Sequence, residues 1–153
     1  MKILVDADSC PRAARELILR RAVKLNLRLV FAANRLIPGT EDYAGKAAMQ
    51  MEICPGTENS ADDRIVELAE NGDLVITRDI PLAKRLIENH VNVIDDRGRV
   101  ITANNINELL SVRNFIVGLA DSGLGIERTA NYGKKELKRF ADSLDRILTR
   151  SLN

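Results

Sequence analysis

Five aspartates in this chain fall where apolar runs stop and polar sequence begins. Asp6 and Asp8 follow Lys2-Ile-Leu-Val5, Asp62 and Asp63 open a stretch of helical spacing, and Asp79 comes just after Leu74-Val-Ile-Thr77. Carboxylates brought close together repel, so one of them takes up a proton or the group takes up a cation. A hard divalent ion, Mg²⁺ or Mn²⁺, suits such a group because it prefers oxygen ligands and keeps several waters. Ions of this kind activate water and stabilise a phosphoryl transition state. Asp6 would end a strand and Asp8 would begin the turn, so both can reach one ion. Thr77, two residues before Asp79, is placed to hydrogen-bond a carboxylate or an attacking water.

The acids also have structural uses. Asp8 or Ser9 could cap a helix starting at Pro11, and Asp79 could cap one at Pro81. Asp62 and Asp63 would meet a helix macrodipole favourably. Asp95 and Asp96, beside Gly98, read as turn residues. Asp6 has no evident cap role at the end of a buried strand.

The elements that must carry these residues alternate. Lys2–Val5 reads as a strand, and Ala14, Leu17, Ile18, Ala22 and Leu25 recur at helical spacing after Pro11. Arg28–Ala33 is a second strand, ended by Asn34 and Arg35, and Pro38-Gly39 marks a turn. Met49–Cys54 is a third strand. Ser60-x-x-Asp63 has the form of an acidic capping box, with Ile65, Leu68 and Ala69 as the stripe of its helix. Leu74–Thr77 is apolar on both faces and so central. A helix from Pro81 carries Leu82, Ala83, Leu86 and Ile87. Val91–Ile94 is a fifth strand, and Arg99-Val-Ile101 pairs back as a short extra one. Ile106, Leu109, Leu110, Ile116 and Val117 mark a long helix, and Leu137, Phe140, Ala141, Leu144 and Leu148 a last amphipathic one.

This order predicts an α/β fold: three layers, with a central, mostly parallel five-stranded sheet flanked by helices. Ligands of such sheets bind outside the carboxyl ends of the strands, where the strand order reverses. The five aspartates and Thr77 are expected there, with Asn34, Arg35, Arg78 and Lys84 as candidates to touch phosphates.

The 153 residues suit one domain, 1–153, with 103–153 as C-terminal helices packing on it. Apolar residues make up 45% and charged residues 29%, which excludes a disordered chain. No run reaches the ~18 apolar residues of a membrane span, so a cytosolic location is expected and no membrane partner. One His and two distant cysteines, Cys10 and Cys54, exclude a zinc site of the Cys/His type and point to reduced thiols. The lone His90 reads as a loop residue at a helix end. Aromatics are 3% with no Trp, so a base-stacking platform is not expected.

The net charge of +1 drives no bulk association with nucleic acid, yet the charge is unevenly placed. Residues 1–50 hold nine basic and five acidic residues, residues 51–123 hold seven and thirteen, and residues 124–153 hold seven and four. An acidic segment between two basic ones fits an acidic site rimmed by cations, and it fits solvated helix faces equally.

Ile3-Leu-Val-Asp6-Ala-Asp8-Ser-Cys10-Pro11, Ala61-Asp62 and Gly72-Asp-Leu-Val-Ile-Thr77-Arg-Asp79-Ile-Pro81-Leu-Ala83 together resemble the YaiI/YqxD family of uncharacterised bacterial proteins. The resemblance continues through Asp96-Arg-Gly98, Arg113-Asn-Phe115 and Ser122-Gly123. That family is similar to PIN-like domains, whose metal-dependent nucleases carry an Asp after the first strand, an acid at a helix start and Thr-x-Asp after the fourth strand. The resemblance implies catalytic roles for Asp6, Asp62, Thr77 and Asp79, and a Mg²⁺ or Mn²⁺ shell drawn from Asp6, Asp8, Asp62, Asp63 and Asp79. It implies no established substrate, and the leading expectation is a phosphodiesterase acting on RNA or single-stranded nucleic acid. The segment that usually supplies a further acid holds only Glu41, Asp42, Glu52 and Glu58, none in a clear motif.

Two other readings stand beside this one. A non-catalytic module would bind nucleic acid or protein and keep the acids as helix caps. A haloacid-dehalogenase-like phosphatase would use Asp6 as nucleophile, although Cys10 stands where its motif has Thr or Val. The sequence sets no oligomeric state.

Overall fold

A computed structural model describes residues 1–34, 49–54, 59–123 and 131–152. In chain order the elements are β1 (Lys2–Asp6), α1 (Arg12–Leu25), β2 (Arg28–Ala33), β3 (Met49–Ile53), α2 (Ser60–Leu68), β4 (Leu74–Ile76), α3 (Ile80–Glu88), β5 (Asn92–Ile94), β6 (Val100–Ile101), α4 (Ile106–Asp121) and α5 (Lys134–Leu152). They build a six-stranded sheet of order β3-β2-β1-β4-β5-β6. All pairings are parallel except β5 with the two-residue β6, which turns back antiparallel. The expected five-stranded sheet therefore has a sixth strand, supplied by the turn signal at Asp96-Arg-Gly98 and the short run after it.

β1 and β4 lie side by side in the middle, with Ile3 opposite Leu74 and Val5 opposite Ile76. Their residues are buried on both faces, as central parallel strands require. The chain runs outward from β1 through β2 to β3, then returns to start β4 on the other side of β1. The strand order reverses between β1 and β4, and the carboxyl end of that gap is where a ligand crevice forms.

Strand parity divides the core into two layers. Ile3, Val5, Phe31, Leu74, Ile76 and Ile94 face α1 and α5, against Leu17, Ile18, Phe140, Leu144 and Leu148. Leu4, Val30, Ala32, Val75 and Val93 face the other way, against Ile65 of α2, Leu82, Ala83 and Leu86 of α3, and Ile106 of α4. Leu25, expected on the inner stripe of α1, is half exposed. The chain reverses at Asn26, in the left-handed region (φ 52°), and buries Leu27 instead. Beyond Leu110, α4 leaves the body of the domain. Val112 and Val117 stand exposed, and Phe115 is 67% exposed. No helix among the described residues is long and apolar enough to cross a membrane.

A candidate acidic site at the carboxyl edge of the sheet

Asp6 ends β1 on the face that carries Leu4, and it is buried. Thr77 follows β4 on the same face and is 2% exposed. Its backbone N–H donates to the Ile94 carbonyl at 3.1 Å, which fixes the residue between β1 and β5. Its hydroxyl donates to Asp6 Oδ2 at 2.9 Å and accepts from the backbone N–H of Asp79 at 3.0 Å. One side chain thus ties two of the expected acids to a common frame.

Asp79 is the N-cap of α3. Its Oδ1 accepts from the Leu82 N–H at 3.0 Å, and Pro81 sits inside the first turn, where its missing N–H costs nothing. Asp62 enters from the first turn of α2. Burial pushes its carboxyl up to about 7, and the negative charges of Asp79 and Asp6 add to the effect. A hydrogen bond to Asp79 that only protonated Asp62 can donate acts the same way, while Arg85 opposes them. Asp6 is also raised, first by burial and then by Asp79 and Asp8, against the hydrogen bonds from Thr77 and Ser9. Asp6, Asp8, Asp62 and Asp79 therefore share one electrostatic environment.

The remaining candidates divide. Asp8 does not cap α1. Its Oδ2 accepts from the Asn34 N–H at 2.7 Å, and Ser9 Oγ lies 3.5 Å from Asp6 Oδ2, so α1 begins after Pro11 without a side-chain cap. The capping box at Ser60-x-x-Asp63 does not form either. Ser60 Oγ donates to the Cys54 carbonyl at 2.6 Å, and Asp63 is drawn outward to Arg85 at 2.9 Å. Asp63 is thus spent on a surface ion pair. Lys84 is exposed on α3. Glu52 pairs with Arg64. Arg35, Glu41, Asp42 and Glu58 lie outside the described residues. Among the described residues no group of three or more His, Cys, Asp or Glu is pre-arranged as a metal-binding set. The acids here are neighbours that lack a common coordination geometry.

Arg78 lies between Thr77 and Asp79 and so points to the opposite face of the sheet. Its Nε donates to Asp96 Oδ2 at 2.6 Å and its Nη2 lies 2.5 Å from the same oxygen. Asp96 is 2% exposed, and its Oδ1 has no hydrogen-bond partner among the described residues. Tyr132 donates its hydroxyl to the Asp96 carbonyl at 2.6 Å, and Ser143 of α5 donates to the Gly98 carbonyl at 2.6 Å. Cys10 is buried beside them. Burial pushes its thiol up to about 12, with Asp96 adding to the effect. A thiol held neutral in this way is a poor nucleophile.

The turn reading of the Asp pair holds for Asp95, whose Oδ1 accepts from the N–H groups of Arg97 and Arg99 at 2.9 Å each. Asp96 is more than a turn residue. Parity carried the missing signal: Asp96 stands two residues after Ile94, and Arg78 two after Ile76, on one face.

Comparison with known proteins agrees with the motif reading. Residues 4–150 match the family model described as "Uncharacterized BCR, YaiI/YqxD family". A UPF0178 protein of Treponema denticola is 46% identical over 152 residues, covering 99% of this chain and 94% of the relative. One from Treponema pallidum is 45% identical over 146 residues, covering 95% and 80%. One from Syntrophobacter fumaroxidans is 43% identical over 150 residues, covering 98% and 95%. No solved structure matches the chain. Full-length similarity at this identity, with the motifs on a three-layer α/β frame, makes this chain a member of the YaiI/YqxD family.

Proposed function

We propose that the carboxyl edge between β1 and β4 is the site of a Mg²⁺- or Mn²⁺-dependent phosphodiester hydrolase acting on RNA or single-stranded nucleic acid. The observation that carries this reading is the gathering of Asp6, Asp79 and Asp62 around Thr77 where the strand order reverses, with burial first and the charges of Asp79 and Asp6 second pushing the Asp62 carboxyl up to about 7. Repelling carboxylates at a strand-order reversal gain stability from a bound cation, beyond the cap that Asp79 gives α3. The donor set fits a hard ion, because it is made of carboxylate oxygens.

Asp6 and Asp79 would hold the ion, and Asp62 and Asp8 would complete its shell directly or through water. Such an ion supplies a bound water of lowered pKa and charge for the developing phosphorane oxygens. Thr77 keeps the Asp6 carboxylate in place through Oδ2, which leaves Oδ1 for the cation. Asp79 likewise has Oδ1 engaged by the Leu82 N–H. Asp62, when deprotonated, is the group able to accept a proton from an attacking water. Its position at a helix start, like the Thr-x-Asp after the fourth strand, is the arrangement the similarity to PIN-like domains implies.

The test is a Mn²⁺-supplemented cleavage assay on RNA and single-stranded DNA, run beside a small phosphomonoester. Asp79→Asn keeps the cap hydrogen bond and removes the charge, so cleavage should be lost while the fold remains. Thr77→Ala should cost less, because it leaves the carboxylates. Mn²⁺ should raise the melting temperature of the native chain and leave Asp6→Asn unmoved. A folded wild type that cleaves nothing favours the binding module. Phosphate release from the monoester alone, lost in Asp6→Asn, favours the phosphatase.

A further inference from the structure

The carboxyl edge is acidic on one face and holds an arginine–aspartate pair on the other. On the α2/α3 side lie Asp6, Asp62 and Asp79. On the α1/α5 side Arg78 is exposed, and Arg15 donates to the Cys10 carbonyl at 2.5 Å. Arg78 is held in an unusual way. Two of its three guanidinium nitrogens, Nε and Nη2, converge on a single oxygen of a buried carboxylate whose other oxygen has no partner among the described residues. A buried carboxylate left half satisfied is costly, and a solvated surface arginine would not require it. Asp96 is itself clamped from outside the sheet by Tyr132, and its turn by Ser143. Three separate elements thus fix one guanidinium at the crest of β4, with 42% of its side chain still open to solvent.

We propose that Arg78, positioned by Asp96, anchors the phosphate next to the one that reaches the acids. A single strand would cross the edge from one face of the sheet to the other. The substrate is then a polynucleotide with at least two successive phosphates. A mononucleotide or a small phosphomonoester reaches only the acids, which repel it unless a cation is present. This deepens the hydrolase reading and rests on it for the second phosphate position.

The experiment is fluorescence anisotropy with labelled RNA, a mononucleotide and a tetranucleotide, in Ca²⁺ so that the acids are neutralised. The tetranucleotide should bind at least tenfold more tightly. Arg78→Ala should weaken it about tenfold, lower the slope of log Kd against log salt by about one, and leave the mononucleotide unchanged. Asp96→Asn loosens the hold on Arg78, so the preference for the tetranucleotide over the mononucleotide should shrink. Tyr132→Phe, a milder change on the same path, should give a smaller loss in the same direction. Equal affinity for the two lengths overturns the inference, and so does full tetranucleotide affinity in folded Arg78→Ala. A parallel calorimetric titration with Mn²⁺ separates the two layers of the argument. Mn²⁺ binding that needs Asp6, with no oligonucleotide binding, removes the phosphate anchor and keeps the metal site. Binding that depends on Arg78 without any Mn²⁺ response keeps the anchor and removes the hydrolase.

Discussion

The two faces of the carboxyl edge solve the same problem in opposite ways. Both hold buried carboxylates at the ends of central strands. On the α1/α5 face Asp96 is matched by an arginine, its turn is gripped by α5, and its charge is compensated. On the α2/α3 face Asp6, Asp62 and Asp79 stand against one another, and the compensation is a proton on Asp62. One face is arranged for stability and the other at the expense of it. Substitutions on the two faces should therefore change stability with opposite signs.

The largest effect should come from Gly98→Ala. Gly98 has φ +88°, and a Cβ there would lie 2.5 Å from the Arg139 carbonyl oxygen of α5. Backbone strain and a clash with another backbone should cost about 3 kcal/mol, read by urea denaturation. Asp96→Ala should follow, at about 2 kcal/mol. It removes a buried partner, but the half-exposed Arg78 can rehydrate.

Asp62→Asn should act in the other direction. The native chain holds the Asp62 proton up to about pH 7, while the unfolded chain releases it near 3.8. Between those values the native state binds more protons, so stability falls as pH rises through the window and stays low above it. Asparagine removes that slope and should stabilise the metal-free protein by about 1 kcal/mol near pH 8, after allowance for the solvent exposure of the group. Melting temperatures of the two proteins at pH 5 and pH 8 check the sign. A destabilised Asp62→Asn at pH 8 would break the comparison. The smallest effect belongs to Arg85→Ala, which frees Asp63 from an exposed pair. It should change stability by less than about 0.5 kcal/mol.

The fold was readable wherever periodicity and length spoke together. β1, β2 and β4 are short apolar runs with sharp stops, and the stripes of α1, α3 and α5 have no competing period. Local capping chemistry was read less well. Ser60 and Asp63 carry the letters of a capping box, but a carbonyl of Cys54 and the guanidinium of Arg85 offered them other partners. Such partners are distant in sequence and leave no local trace. The acidic site was legible because strand ends announce it. Across the sheet only Arg78 stood out, as a phosphate candidate, and its partners were hidden, since Asp96 lies 18 residues away and Tyr132 another 36 beyond Asp96. Each partner looks ordinary alone, a turn aspartate and a tyrosine beside a glycine.

The grip of α5 on the Asp95–Arg99 turn bears on the order in which the molecule matures during synthesis. The strands, Thr77 and every acid of the candidate site precede α5 in the chain. The arginine face is completed last, because Tyr132 and Ser143 arrive only afterwards, and Arg21 waits for Asp145, 124 residues later in the chain. A nascent chain released or cleaved before α5 would carry its carboxylates without the framework that orients Arg78. The same chain would also leave Ile3, Val5, Leu74 and Ile76 without the cover of Phe140, Leu144 and Leu148, so α5 completes both the core and the hold on Arg78.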